Sequence, residues 1–183
     1  FVARHARDDR PFFLYWAVNA VHTPRQAPPG DLARFRRRHP ELPRERSELM
    51  ALLMHLDNGV GAITAALQAE RVWPDTLTIF LSDNGAPTRP PSIGDNGRLK
   101  GHKGQLFDGG IRTPLVVCWP ARLAAARAPR VVAAPVISLD LAPPILEAAV
   151  VVAPRARTAH GAEVAFDGKS LLPLKCVLRC NQQ

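Results

Sequence analysis

The chain sets short unbroken apolar runs around one long stretch of helical periodicity. Residues 11–18, Pro-Phe-Phe-Leu-Tyr-Trp-Ala-Val, form a run whose length and aromatic content predict a strand buried on both faces. Asn19-Ala20-Val21-His22-Thr23-Pro24 follows. A Pro- and Arg-rich stretch then extends to about Pro43 and reads as a long surface loop. Between Ser47 and Ala69, Leu49, Leu52, Leu56, Val60, Ile63 and Leu67 recur at steps of three and four, the stripe of an amphipathic helix. Gly59 and Gly61 interrupt it at about 1 kcal/mol each, a cost that close packing against a neighbour would explain. Residues 76–82 are β-branched and apolar, a second buried strand. Strand, helix, strand in that order is the grammar of a parallel sheet.

After Ser82 the periodicity vanishes. Residues 83–110 are rich in Gly, Asn and Asp, and a further strand is predicted at Leu115–Trp119, stopped by Pro120. Residues 131–137 allow another strand. Ser138-Leu139-Asp140 then leads into a short helix near Ala142–Ala149. An Asp167-Gly168 turn and an uninformative 175–183 tail close the chain. No internal repeat or linker demands two domains.

Composition narrows the class. At 183 residues with 46% hydrophobic content, the chain fits one domain or a large piece of something bigger, and disorder is excluded. No uninterrupted run nears the roughly 20 apolar residues of a membrane span. Three cysteines, Cys118, Cys176 and Cys180, are too few and odd in number for a disulfide scaffold. The first residue is Phe1 and no export signal is visible, so the chain is expected to be an internal or truncated piece. The net charge of +8 comes mainly from arginine, densest at Arg34, Arg36, Arg37 and Arg38. No aromatic reading surface accompanies these cations, so they predict a solvated basic loop or anion steering, and no specific nucleic acid.

Chemistry concentrates in the aperiodic stretch. Asp83 and Asn84 end a buried strand, and a carboxylate beside an amide carbonyl supplies two hard oxygen ligands suited to Ca²⁺ or Mg²⁺. Asp-Asn-Gly is equally a turn sequence, and it occurs at 57–59, 83–85 and 95–97, the first inside the helix. Lys100-Gly101-His102-Lys103-Gly104 can bring backbone and two ammonium groups to an anion, or be a flexible surface loop. It is not a Walker loop. Arg112 is either an anion ligand or the partner of Asp108. His22, after the first strand, can accept a proton or stabilise an anion, or be purely structural.

Taken in order, these segments resemble the sulfatase family. Phe12-Phe13-Leu14-Tyr15 running to His22-Thr23-Pro24 is similar to the stretch before its substrate histidine. Leu56-Asp57-Asn58-Gly59-Val60-Gly61 and Phe80-Leu81-Ser82-Asp83-Asn84-Gly85 are similar to its helix and metal strand. Leu99 to Gly104, Asp108 to Pro114, Trp119-Pro120, Ser138 to Pro143 and Asp167 to Leu171 continue in register, so the resemblance spans about residues 11–174. It implies an α/β fold of the alkaline-phosphatase type, a mostly parallel sheet between helices, with residues 1–174 the C-terminal portion of the catalytic domain. It implies Ca²⁺-dependent hydrolysis of sulfate esters, with Asp83 and Asn84 as metal ligands. Lys103 would contact the sulfate and assist the leaving oxygen, and His22 would bind the sulfate or ester oxygen. Substrates would be sulfated small molecules or glycans.

The family's nucleophile is a formylglycine made by a maturation enzyme from a Cys-x-Pro-Ser-Arg segment, expected upstream together with two Asp ligands. This piece alone is therefore expected to be inactive. Cys118-Trp119-Pro120-Ala121-Arg122 imitates that segment but falls at the strand after Gly-Gly-Ile-Arg, so Cys118 reads as a small buried hydrophobe. By resemblance the compartment would be periplasmic, secreted or lysosomal. The alternatives are a phosphodiesterase or phosphonate-ester hydrolase of the same superfamily, and a non-catalytic basic binding remnant.

Overall fold

A computed structural model describes residues 1–88, 93–123, 131–152, 156–157, 163–164 and 168–171. It divides into two units, Phe1–Trp73 and Pro74–Gln183, each considered by itself.

In the first unit residues 29–38 are helical, where the pattern predicts a loop. After a short helix α1 (Val2–His5), α2 spans Pro29–Arg38. Pro29 lies at its start, where a missing N–H costs nothing, and Asp31 sits in the first turn. The run Arg36, Arg37, Arg38 occupies the last turn, where cations oppose the negative end of the helix dipole. The densest charge cluster thus belongs to a helix end. The long helix α3 (Arg44–Ala69) opens after Pro43, whose carbonyl accepts the Ser47 N–H at 2.9 Å and the Ser47 hydroxyl at 3.1 Å. Asp31 ties the two helices: one oxygen accepts from Arg34 at 2.6 Å and the other meets His55 Nδ1 at 2.9 Å. By length and composition alone α3 could cross a membrane, which is weak evidence for a span. Asp57 and Asn58 lie in its second half, and both α1 and α2 pack on it.

Residues 11–18 form neither helix nor strand, and Tyr15 is 81% exposed. Burial on both faces needs a neighbour on each, whereas here Phe12 meets the Phe1 ring edge-on, with centroids 5.8 Å apart. Trp16 lies over Gly59, where an added Cβ would come 2.5 Å from the ring. Gly59 is therefore explained by packing. Gly61 faces open space.

The second unit begins within a 3-10 turn, Trp73–Asp75, and holds β1 (Thr78–Leu81), α4 (Asp108–Ile111), β2 (Leu115–Cys118) and α5 (Pro120–Leu123). A 3-10 turn at Ser138–Leu141 leads into α6 (Ala142–Ala148), and two-residue strands β3 (Ala156–Arg157) and β4 (Glu163–Val164) pair antiparallel. β1 pairs with β2, also antiparallel, from Thr78 opposite Cys118 to Leu81 opposite Leu115. The parallel pairing expected from strand–helix–strand order is thus absent among the described ladders. β1 and β2 run antiparallel because residues 82–114 return the chain to the end of the ladder where it left.

One face of the ladder is core. Leu115, Val117, Val136 and Leu171 are buried there, with Leu77, Ile79, Leu81 and Leu141 packed against them. The other face carries the cross-strand pair Phe80 and Val116, 40% and 42% exposed. Residues 131–137 form no strand, only an isolated bridge at Val132, yet Val136 joins the core. Asp167 and the 175–183 tail lie outside the described residues.

Candidate functional site

The 82–114 segment is built on the mouth of this ladder. The Ser82 N–H donates to Pro114 O at 3.2 Å and the Gly85 N–H to Gly110 O at 2.9 Å, so two backbone clasps bracket Asp83 and Asn84. Ser82 Oγ donates to Asn84 O at 3.1 Å, and Asn84 Nδ2 donates to Asp83 Oδ1 at 2.6 Å. That last bond orients the amide and leaves Asp83 Oδ2 and Asn84 Oδ1 without a hydrogen-bond partner among the described residues. Both are hard oxygens, and Asp83 is exposed. The pair fits a share of a Ca²⁺ or Mg²⁺ coordination shell, which needs six or more oxygens. Among the described residues no group of three or more His, Cys, Asp and Glu side chains could hold a metal ion.

The lysine loop is held against this strand end. Gly101 and Gly104 both have φ of +87°, the left-handed region, and so turn the backbone on either side of His102-Lys103. The Lys103 N–H donates to Ala86 O at 3.3 Å, two residues beyond Asn84. His102 Nδ1 meets Lys103 O at 2.8 Å, which makes Nδ1 the protonated nitrogen, and its Nε2 is buried with no partner. Gln105 Oε1 accepts the His102 N–H at 3.2 Å, and the Gln105 N–H donates back to His102 O at 3.0 Å. The two lysines part company: the Lys100 ammonium sits 4.1 Å from the centre of the Phe107 ring, a cation–π contact, while half-buried Lys103 has no charged partner among the described residues. Arg112 reaches Asp108 at 3.7 Å, the structural pairing left open by the sequence.

The third Asp-Asn-Gly is more than a turn. Gly97 N–H does bond Asp95 Oδ1 at 2.7 Å, but Asn96 points inward. Its Oδ1 accepts the Ala86 N–H at 2.8 Å, and its Nδ2 donates to Ala86 O at 2.9 Å and to Gly101 O at 3.2 Å. Sequence reasoning passed over this residue, although its place between the two candidate motifs was a signal.

Cys118 lies at the far end of β2 from this loop, about 10 Å of strand away. Partial burial pushes its thiol pKa up, away from the thiolate a nucleophile requires. His22 lies in the first unit. Its exposed ring bonds the Thr23 carbonyl through Nδ1 at 2.7 Å, which leaves Nε2 open, and its N–H donates to Asn19 O at 2.7 Å.

Comparison with known proteins gives a consistent family. The sequence profile described as Sulfatase matches residues 1–151. Canine N-acetylgalactosamine-6-sulfatase is 38% identical over 130 residues, covering 69% of this chain and 23% of that protein. Human arylsulfatase A is 36% identical over 169 residues, covering 92% of this chain and 29% of that protein. Among solved structures, Ps i-CgsB in complex with k-i-k-neocarrahexaose superposes with a TM-score of 0.75 at 30% identity, over 94% of this chain and 35% of that one. The chain thus spans under a third of the length of these two curated relatives.

Proposed function

We propose, from a chain that belongs to the sulfatase family and shares its alkaline-phosphatase-like α/β fold, that residues 1–174 are the C-terminal portion of a catalytic domain that hydrolyses sulfate esters. The observation that carries this reading is the Ala86 carbonyl, which joins the Asp83-Asn84 strand end to the Lys103 loop through one hydrogen bond. Two hard oxygens that can take a cation, and an ammonium without a charged partner among the described residues, are elements suited to an anionic sulfate ester.

In this reading Asp83 and Asn84 would contribute hard oxygen ligands to a divalent cation, taken to be calcium, and a cation so held would supply positive charge to an anionic substrate. Lys103 presents its ammonium to the sulfate and to the ester oxygen that leaves, neutralising charge as the S–O bond breaks. His22, with Nδ1 engaged, offers Nε2 to a sulfate or ester oxygen. The nucleophile and the remaining metal ligands come from outside this chain, the former made by a formylglycine-generating enzyme. The substrate is a sulfated small molecule or glycan, and the compartment periplasmic, secreted or lysosomal.

The test is turnover of p-nitrophenyl sulfate by the whole protein carrying this segment, against bis-p-nitrophenyl phosphate. Sulfate turnover that falls at least about 100-fold in Lys103→Ala supports the reading. Preference for the phosphodiester, or sulfate turnover by the 183-residue chain alone, overturns it.

A further inference from the structure

Lys103 can assist a leaving oxygen only if its loop is held at the metal-strand end, and its own N–H bond to Ala86 O is long at 3.3 Å. The geometry points to Asn96 as the positioning residue that sets Lys103, a role that rests on the proposed function of that lysine. The Asn96 side chain uses three of its hydrogen-bonding positions on two backbone segments and touches neither candidate ligand. Oδ1 and Nδ2 close a two-bond ring on Ala86, at 2.8 and 2.9 Å, and fix the orientation of the amide. Its remaining donor reaches Gly101 O at 3.2 Å, two residues before Lys103 and at the left-handed turn that aims the loop.

Ala86 O therefore receives both the Asn96 amide and the Lys103 N–H. A shift of that carbonyl moves the strand end and the lysine loop relative to each other. Asn96 itself is held from behind: its carbonyl accepts the Leu99 N–H at 3.1 Å, and Asp95 caps Gly97. A side chain so placed controls the separation of two charged groups without contacting substrate, and displacements of about 1 Å are worth roughly 100-fold in rate.

The experiment is a leaving-group series of aryl sulfates with the whole protein as wild type, Asn96→Asp, Asn96→Ala, Lys103→Ala and the double variant Asn96→Asp/Lys103→Ala. Asn96→Asp keeps the acceptor for Ala86 N–H and the side-chain shape but loses both donors, which guards against a variant that fails to fold. Expected are a fall in kcat of roughly tenfold or more in Asn96→Asp, concentrated on esters with poor leaving groups. The double variant should be no slower than Lys103→Ala alone. A loss uniform across leaving groups, or one that adds fully to that of Lys103→Ala, overturns the positioning role and leaves the lysine's own role standing. A Lys103→Ala enzyme with wild-type leaving-group dependence overturns both.

Discussion

The Gly85 N–H donates to the Gly110 carbonyl at 2.9 Å, and at this approach a Cβ on Gly85 would overlap the carbonyl of Gly109. Backbone meets backbone here, so no side-chain rotation can relieve the overlap. Gly85→Ala should cost about 1–3 kcal/mol and lower Tm by several degrees. An unchanged melting curve would mean that these two segments are not in contact.

Asp140 joins two distant pieces of the second unit. Its Oδ2 accepts the Ile137 N–H at 3.0 Å and its Oδ1 the Lys169 N–H at 2.8 Å. Both are charge-assisted, so Asp140→Ala should destabilise by about 2–3 kcal/mol, and Asp140→Asn by less. Urea denaturation reads this directly. Equal losses in the two variants would argue against a role for the charge.

The two helix glycines should respond differently. Gly61→Ala fills open space in α3 and should stabilise by roughly 0.5–1 kcal/mol. In Gly59→Ala the new methyl meets the far end of the Trp16 ring, so the helix gain is offset and the tryptophan emission should shift. Thermal melts and fluorescence of the pair test this, and identical stabilisation with unchanged emission would remove Trp16 from the helix.

Cys118 carries a raised pKa, caused by burial. The sign follows: at pH 8 less thiolate is present than in a free cysteine, and more accumulates as the pH rises. Iodoacetamide labelling, followed peptide by peptide, should be slower at Cys118 than in the unfolded chain at pH 8 and should still be climbing above pH 9. Rapid labelling near neutral pH would reopen its reading as a nucleophile.

If Asp83 holds calcium, Asp83→Asn keeps an oxygen but removes the charge. The calcium concentration for half-maximal sulfate turnover should rise roughly tenfold or more, with activity recovered at high calcium. Turnover unaffected by a chelator in the wild type would take the metal away from this site.

The sequence by itself determined the long helix, the strands at 78–81 and 115–118 and the motifs that place the chain in its family. These depend on local periodicity, on β-branched and apolar runs and on residue order, all of which survive in one dimension. It also marked Asp83, Asn84 and Lys103 as chemistry-bearing, though as isolated patterns each was equally a turn or a loop. Tertiary structure decided how the strands pair. The 82–114 segment brings Leu115 back beside Leu81, and pairing direction depends on where a connection ends, which no strand encodes in its own residues. A supposed loop is the helix α2, whose ends carry Pro29, Asp31 and the terminal arginines and which Asp31 ties to α3 through His55. Tertiary structure also separated the three Asp-Asn-Gly triplets, identical in sequence. One lies inside a helix, one ends a strand with two open oxygens, and one folds its asparagine inward onto Ala86 and Gly101. The amide of Asn96 has no function until two segments ten and five residues away in sequence supply the groups it binds.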